Sequence, residues 1–199
     1  MLESVAYRIV NTQIRKGLLK EEDRSIYQYG YQMLMEYCIN IATSITIAAF
    51  FHAYKIVLVF SLAYFLLRGY AGGYHAKTSI GCFLMSAVLL AAVVVVVRYA
   101  GNMSFSKGLI LAEVVMLPYV FKKMPIPVKN KPVTENEKIH FGKMARLVYA
   151  VELAVGIVLI GFGRVESALS VLVAHGVIFI MAVGDSAYQF VKKGYKYKP

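Results

Sequence analysis

Polar and apolar positions mix at helical spacing over residues 1–20, with Leu2, Val5, Ala6, Ile9 and Val10 set among Arg8, Asn11, Gln13, Arg15 and Lys16. That spacing predicts an amphipathic helix with one basic face. Such a helix lies on a membrane surface, basic face to the headgroups, or packs as an ordinary cytosolic helix against the rest of the chain. Long apolar runs then follow at 33–51, 56–67, 80–97, 109–121, 147–162 and 168–191. A helix that crosses the hydrocarbon core needs about 20 residues. The second and fourth runs are shorter, so they must recruit polar flanks, tilt, or turn back before crossing.

The expected fold is therefore all-α: a polytopic membrane bundle of six transmembrane segments behind an N-terminal amphipathic helix. Four full spans plus two re-entrant segments is the alternative. The chain reads as one unit over 1–199, with interfacial helices at 1–30, the bundle at 33–191 and a basic tail at 192–199.

Composition supports lipid rather than water as the main solvent. The 199 residues are 59% apolar and 17% charged, and the mean hydropathy is +0.60. Soluble domains have about half their residues apolar and about a quarter charged. The formal charge of +11 would suggest nucleic acid in a soluble protein. In a membrane protein the placement of Lys and Arg matters more than their sum, and nucleic-acid binding is the weaker reading.

With six spans and both termini in the cytoplasm, 18 of the 22 Lys and Arg fall on the cytoplasmic side, a strong positive-inside asymmetry. The four-span alternative gives the same division. Charge thus places both termini and the basic, Pro-rich segment 122–146 inside, but not the hairpin at 68–79.

That hairpin is where the chemistry concentrates. It runs Arg68-Gly69-Tyr70-Ala71-Gly72-Gly73-Tyr74-His75-Ala76-Lys77-Thr78-Ser79-Ile80-Gly81-Cys82. Seven residues of continuous helix would separate His75 from Cys82 by about 10.5 Å along the axis. A bonded pair needs the chain to turn between the second and third runs, and Gly72-Gly73 permits that.

Thr78 or Ser79 can cap the third helix, which puts Cys82 about one turn in. Free helix-start amides and a nearby imidazole favour a thiolate nucleophile. From spacing alone the commoner reading is still a packing cysteine and a solvated histidine. His75, Cys82 and His52 are too few ligands for a closed metal site, and no cofactor is implied. Cys38, mid-helix without a basic neighbour, reads as packing.

The spacing of Arg68, Gly72, Gly73, His75, Ala76 and Cys82, with Ser86 four residues on, resembles the signature of the accessory gene regulator B family, AgrB. Asn130-Lys131-Pro132 followed by Glu135 and Glu137, and the Tyr29-Gly30 step before the first span, are similar to it too. The resemblance covers nearly the whole chain. It implies a membrane cysteine endopeptidase of Gram-positive bacteria that removes the C-terminal part of a small propeptide, AgrD, and helps form a cyclic thiolactone signal. Cys82 would be the nucleophile and His75 its base, in the bacterial cell membrane.

Candidates for holding the propeptide are Arg68, whose guanidinium suits a carboxylate, Lys129 and Lys131 towards an acidic tail, Gly72 and Gly73 as backbone donors, Ser86 and Glu36. No acid or Asn lies in the hairpin to orient His75, which leaves the intramembrane Glu36, Glu113 and Glu152 as candidates for a third member. Two short spans enclose little depth, so a homodimer could complete the chamber around a helical peptide. The alternative function is a non-catalytic small transporter or peptide-export subunit, suggested by the short spans and the intramembrane carboxylates.

Overall fold

A computed structural model describes residues 2–72, 79–99, 103–125 and 134–196, and its described elements are helical throughout. In chain order they are α1 (Leu2–Arg15), a single 3-10 turn at Glu21–Asp23, α2 (Arg24–Phe50), α3 (Tyr54–Ala71), α4 (Ser79–Tyr99), α5 (Met103–Lys123), α6 (Glu135–Gly161) and α7 (Val165–Lys196).

Five of these are long and apolar enough to cross a membrane: the stretches Glu21–Phe50, Tyr54–Ala71, Ile80–Tyr99, Glu135–Gly161 and Val165–Gly184. Their outward faces carry exposed Leu58, Leu62 and Leu66 on α3, Leu84 and Val88 on α4, and Val151, Val155 and Val158 on α6. This is the build of a multi-pass membrane protein, in which lipid replaces a second layer of protein.

The two short apolar runs both lie in continuous helices. α3 has 18 residues and α5 has 21, about 27 and 32 Å at 1.5 Å per residue. Each reaches that length by drawing polar flanks into the helix, Tyr54-Lys55 and Arg68-Gly69-Tyr70 in α3, Lys122-Lys123 in α5.

Two helices extend past their apolar runs. α2 begins at Arg24, ahead of the run that starts near Met33. α7 runs to Lys196, into the stretch read as a tail. In both places polar residues extend a helix whose apolar segment is already anchored by packing.

Three hydroxyls within α2 are satisfied inside the helix. Thr43 Oγ1, Ser44 Oγ and Thr46 Oγ1 donate to the carbonyls of Ile39, Asn40 and Ala42 at 2.8, 2.8 and 2.9 Å. Such bonds let hydroxyls sit in hydrocarbon without an interhelical partner. α1 packs back on α2 by burying Ala6 and Val10, and Gln13 Nε2 donates to Tyr31 Oη at 2.7 Å. The amphipathic face of α1 is thus covered by protein on its apolar side.

α7 is the centre of the bundle and touches α3, α4, α5 and α6. One apolar cluster joins Ala48, Ile56, Val57, Phe60, Leu90, Val94 and Leu169; a second joins Leu67, Ala71, Val120, Met124, Tyr149 and Ile178. Gly142 lets α6 pass close to the end of α5, since a Cβ there would lie 3.2 Å from Pro125 Cδ.

The start of α6 is fixed by a capping box. Thr134 Oγ1 accepts from the Glu137 amide at 3.3 Å, and the Glu137 carboxylate accepts from the Thr134 amide at 2.8 Å. Glu135, exposed, pairs with Lys138 at 3.6 Å. Two acids of the resemblance block thus have local duties. Thr134→Ala should cost about 1 kcal/mol of stability, seen as a lower midpoint in a heat-and-gel-filtration assay in detergent. An unchanged midpoint would show that the cap is not formed in detergent.

Candidate functional site

The hairpin between α3 and α4 is framed by two helix ends. α3 closes at Gly72, whose amide donates to the Arg68 carbonyl at 3.3 Å. The Arg68 guanidinium donates in turn to the Gly72 carbonyl. Gly72 has φ 72° and ψ −157°, a region open essentially to glycine alone. Gly72→Ala should therefore strain the exit from α3 by about 1–3 kcal/mol. The check is a lower thermal midpoint together with altered labelling of Cys82 by a small thiol reagent. Unchanged values for both would show that the turn is not built this way.

On the far side of the hairpin α4 begins at Ser79, so Cys82 stands in its first turn, as the cap reading expects. Cys82 is a free, half-buried thiol. Ser86, one turn on along α4, is exposed.

Tyr64, one turn before Arg68 on α3, has both the Arg68 guanidinium and Cys82 as electrostatic neighbours. Its hydroxyl is 3.5 Å from Met181 Sδ of α7. Arg68, Tyr64 and Cys82 therefore converge at one end of the bundle. Sequence reasoning missed Tyr64, although its i, i+4 relation to Arg68 was a usable signal.

His75, Gly73, Lys129 and Lys131 lie outside the described residues. Glu36 sits on α2, where Gln32 Nε2 donates to its carboxylate at 3.1 Å. Cys38 is exposed on α2.

A second polar constellation lies in the bundle core. His175 of α7 has Nδ1 3.0 Å from Glu113 Oε1 of α5 and Nε2 3.0 Å from Glu152 Oε2 of α6. The Tyr149 hydroxyl donates to Glu113 Oε2, and the Tyr149 ring stacks on the imidazole with centroids 4.6 Å apart. Relative exposure is 2% for Glu113, 8% for Glu152 and 2% for His175, so three helices meet through ionisable groups away from water.

Two of the three acids considered as orienters of His75 are thus engaged by His175. That histidine went unread in the sequence, though a His in the 168–191 run, with acids in two other runs, was the signal for it. Among the described residues no group of His, Cys, Asp and Glu has the arrangement to hold a metal ion.

The sequence as a whole matches the profile of the accessory gene regulator B family over residues 3–184. The chain belongs to that family. Among curated relatives of the family, an AgrB-like protein 2 of Clostridium perfringens is 24% identical over 143 residues, 69% of this chain and 67% of the relative. An AgrB-like protein from another strain of that species is 26% identical over 164 residues, 79% and 76% of the two chains. The accessory gene regulator protein B of Staphylococcus aureus is 30% identical over 105 residues, 50% of this chain and 56% of that protein. No solved structure matches. The family assignment therefore agrees with the resemblance read from the hairpin residues.

Proposed function

We propose that this chain is a membrane cysteine endopeptidase of a quorum-sensing system. It cleaves the C-terminal part from a small AgrD-like propeptide and closes the remainder into a thiolactone. The observation that carries this reading is a free thiol in the first turn of α4, across a glycine-closed turn from Arg68, in a chain of the accessory gene regulator B family.

In the reaction the Cys82 thiolate attacks the scissile carbonyl and forms a C–S bond. The tetrahedral oxyanion is met by backbone amides of the α4 start or the Gly72-Gly73 turn. His75, holding the thiol proton, gives it to the leaving amine as the C–N bond breaks. A thiol within the propeptide then attacks the acyl-enzyme thioester, passing its proton to His75 and releasing Cys82. One thioester replaces another, so the exchange is nearly thermoneutral, and a site between helices slows the competing hydrolysis by keeping water out.

Arg68, Ser86, Glu36, Lys129 and Lys131 are the proposed contacts with the propeptide. The proposal places the chain in the bacterial cytoplasmic membrane with both termini inside, as one domain over 1–199, and takes a second copy of the chain as the partner that completes the chamber.

The test is co-expression with a candidate propeptide, comparing by mass the wild type, Cys82→Ala and His75→Ala, each confirmed to be inserted. Cleavage by wild type alone supports the peptidase; equal cleavage by all three removes it. A non-catalytic export subunit is the second reading, favoured by the buried carboxylates of α5 and α6. Cys82→Ser separates the two, because export should survive it and cleavage should not.

A further inference from the structure

We propose that the Glu113–His175–Glu152 cluster is a binding site for an exchangeable proton, with Glu152 as the group that takes it up and releases it. The inference does not depend on the role of Cys82.

Each of the two N···O lines at His175 is 3.0 Å long, and each needs one proton. A neutral imidazole brings only one. Filling both lines therefore takes a second proton, which leaves the trio with a net charge of −1, whether that proton sits on the ring or on a carboxylate. The other oxygen of Glu113 is already held in a hydrogen bond with Tyr149.

Glu152 differs. Among the described residues its Oε1 is buried and has no hydrogen-bond partner. A third proton placed there makes the cluster neutral. Burying a net charge in a membrane bundle costs more than leaving one neutral hydroxyl without an acceptor. The neutral state is therefore preferred, and the proton that creates it is the one least tied down by its neighbours.

The surroundings leave this cluster to settle its own charge. α4 faces α7 with apolar Leu90, Val93, Val94 and Val97. From α3, Tyr64 meets α7 at Met181, six residues and about 9 Å beyond His175. Arg146, six residues before Glu152 on α6, holds its guanidinium over the Phe121 ring. Among the described residues, the groups that touch the imidazole are thus Glu113 from α5 and Glu152 and Tyr149 from α6.

Glu152 also stands at the edge of the cluster, its side chain 10% exposed while that of His175 is 0%, which makes it the point of entry. A histidine bridging acids from two other helices is the side-chain chemistry of intramembrane proton carriage.

Infrared difference spectroscopy of the purified full chain in lipid bilayers, titrated with pH, tests this. Wild type should show a carboxylic-acid carbonyl band that persists where exposed carboxyls are already ionised. It should vanish reversibly at higher pH and shift in deuterium oxide. Glu152→Gln should abolish it. Absence of any such band in wild type would overturn the proposal, leaving a fixed triad of net charge −1. A band that neither titrates nor exchanges would overturn it too, as a sealed acid. A band lost in Glu113→Gln but kept in Glu152→Gln would overturn the assignment to Glu152. If a variant does not fold, the wild-type titration and exchange decide by themselves.

Discussion

Cys82→Ala lowers the rate of propeptide cleavage by on the order of 10^4- to 10^6-fold while the protein remains membrane-inserted. Loss of a nucleophile or its base in a covalent hydrolase costs about that much, or about 5–8 kcal/mol of transition-state stabilisation. The size of the effect matters because a packing cysteine gives a different result. Cys82 is only half-buried, so truncation to Ala removes little apolar contact and, by itself, leaves activity within about tenfold. His75→Ala should lose a comparable factor, and added imidazole should restore part of it, since a diffusible base can stand in for the missing side chain. The measurement is the initial rate of propeptide loss by mass spectrometry in membranes of matched protein content. A Cys82→Ala rate within tenfold of wild type would end the nucleophile assignment.

The second large effect is on stability. His175→Leu should destabilise the bundle by about 3–5 kcal/mol, the usual cost of removing one partner from a buried ionic pair. An interhelical hydrogen bond in a membrane protein averages only about 0.6 kcal/mol, so the lost bonds are the smaller part. The larger part is two carboxylates, at 3% and 10% side-chain exposure, left close together without the imidazole between them. Glu113→Gln, which keeps a polar partner for both His175 and Tyr149, should cost less, about 1–2 kcal/mol. The chain has no tryptophan, so the midpoint is best read as the loss of the monodisperse gel-filtration peak after heating. A His175→Leu protein as heat-stable as wild type would show that the three helices do not meet through this cluster.

The apolar runs announced an all-helical membrane chain because hydropathy is a local property. A segment that is apolar over a bilayer's thickness has little choice of environment. The helix ends that flank residues 73–78 were legible for a similar reason. α3 closes at Gly72 through that residue's own backbone angles, and α4 begins at Ser79. The resemblance to the accessory gene regulator B family rested on these same near-neighbour spacings and was upheld by a match over residues 3–184.

Helix ends were less legible. Polar flanks at Arg24, at Arg68 and beyond Val191 carry no apolar signal, yet each continues a helix. Once the apolar part is packed, adding a residue costs little and gains a backbone bond.

By itself, then, the sequence determined the all-helical class of fold and the family. Both are encoded over spans of a few to about twenty residues. Only the tertiary structure decided which distant residues share a site. Tyr64 reaches Met181 across 117 positions of chain, and His175 is 62 positions from Glu113 and 23 from Glu152. Nothing local records such pairings. They follow from α7 taking the centre of the bundle, where three ionisable groups out of reach of water must satisfy one another.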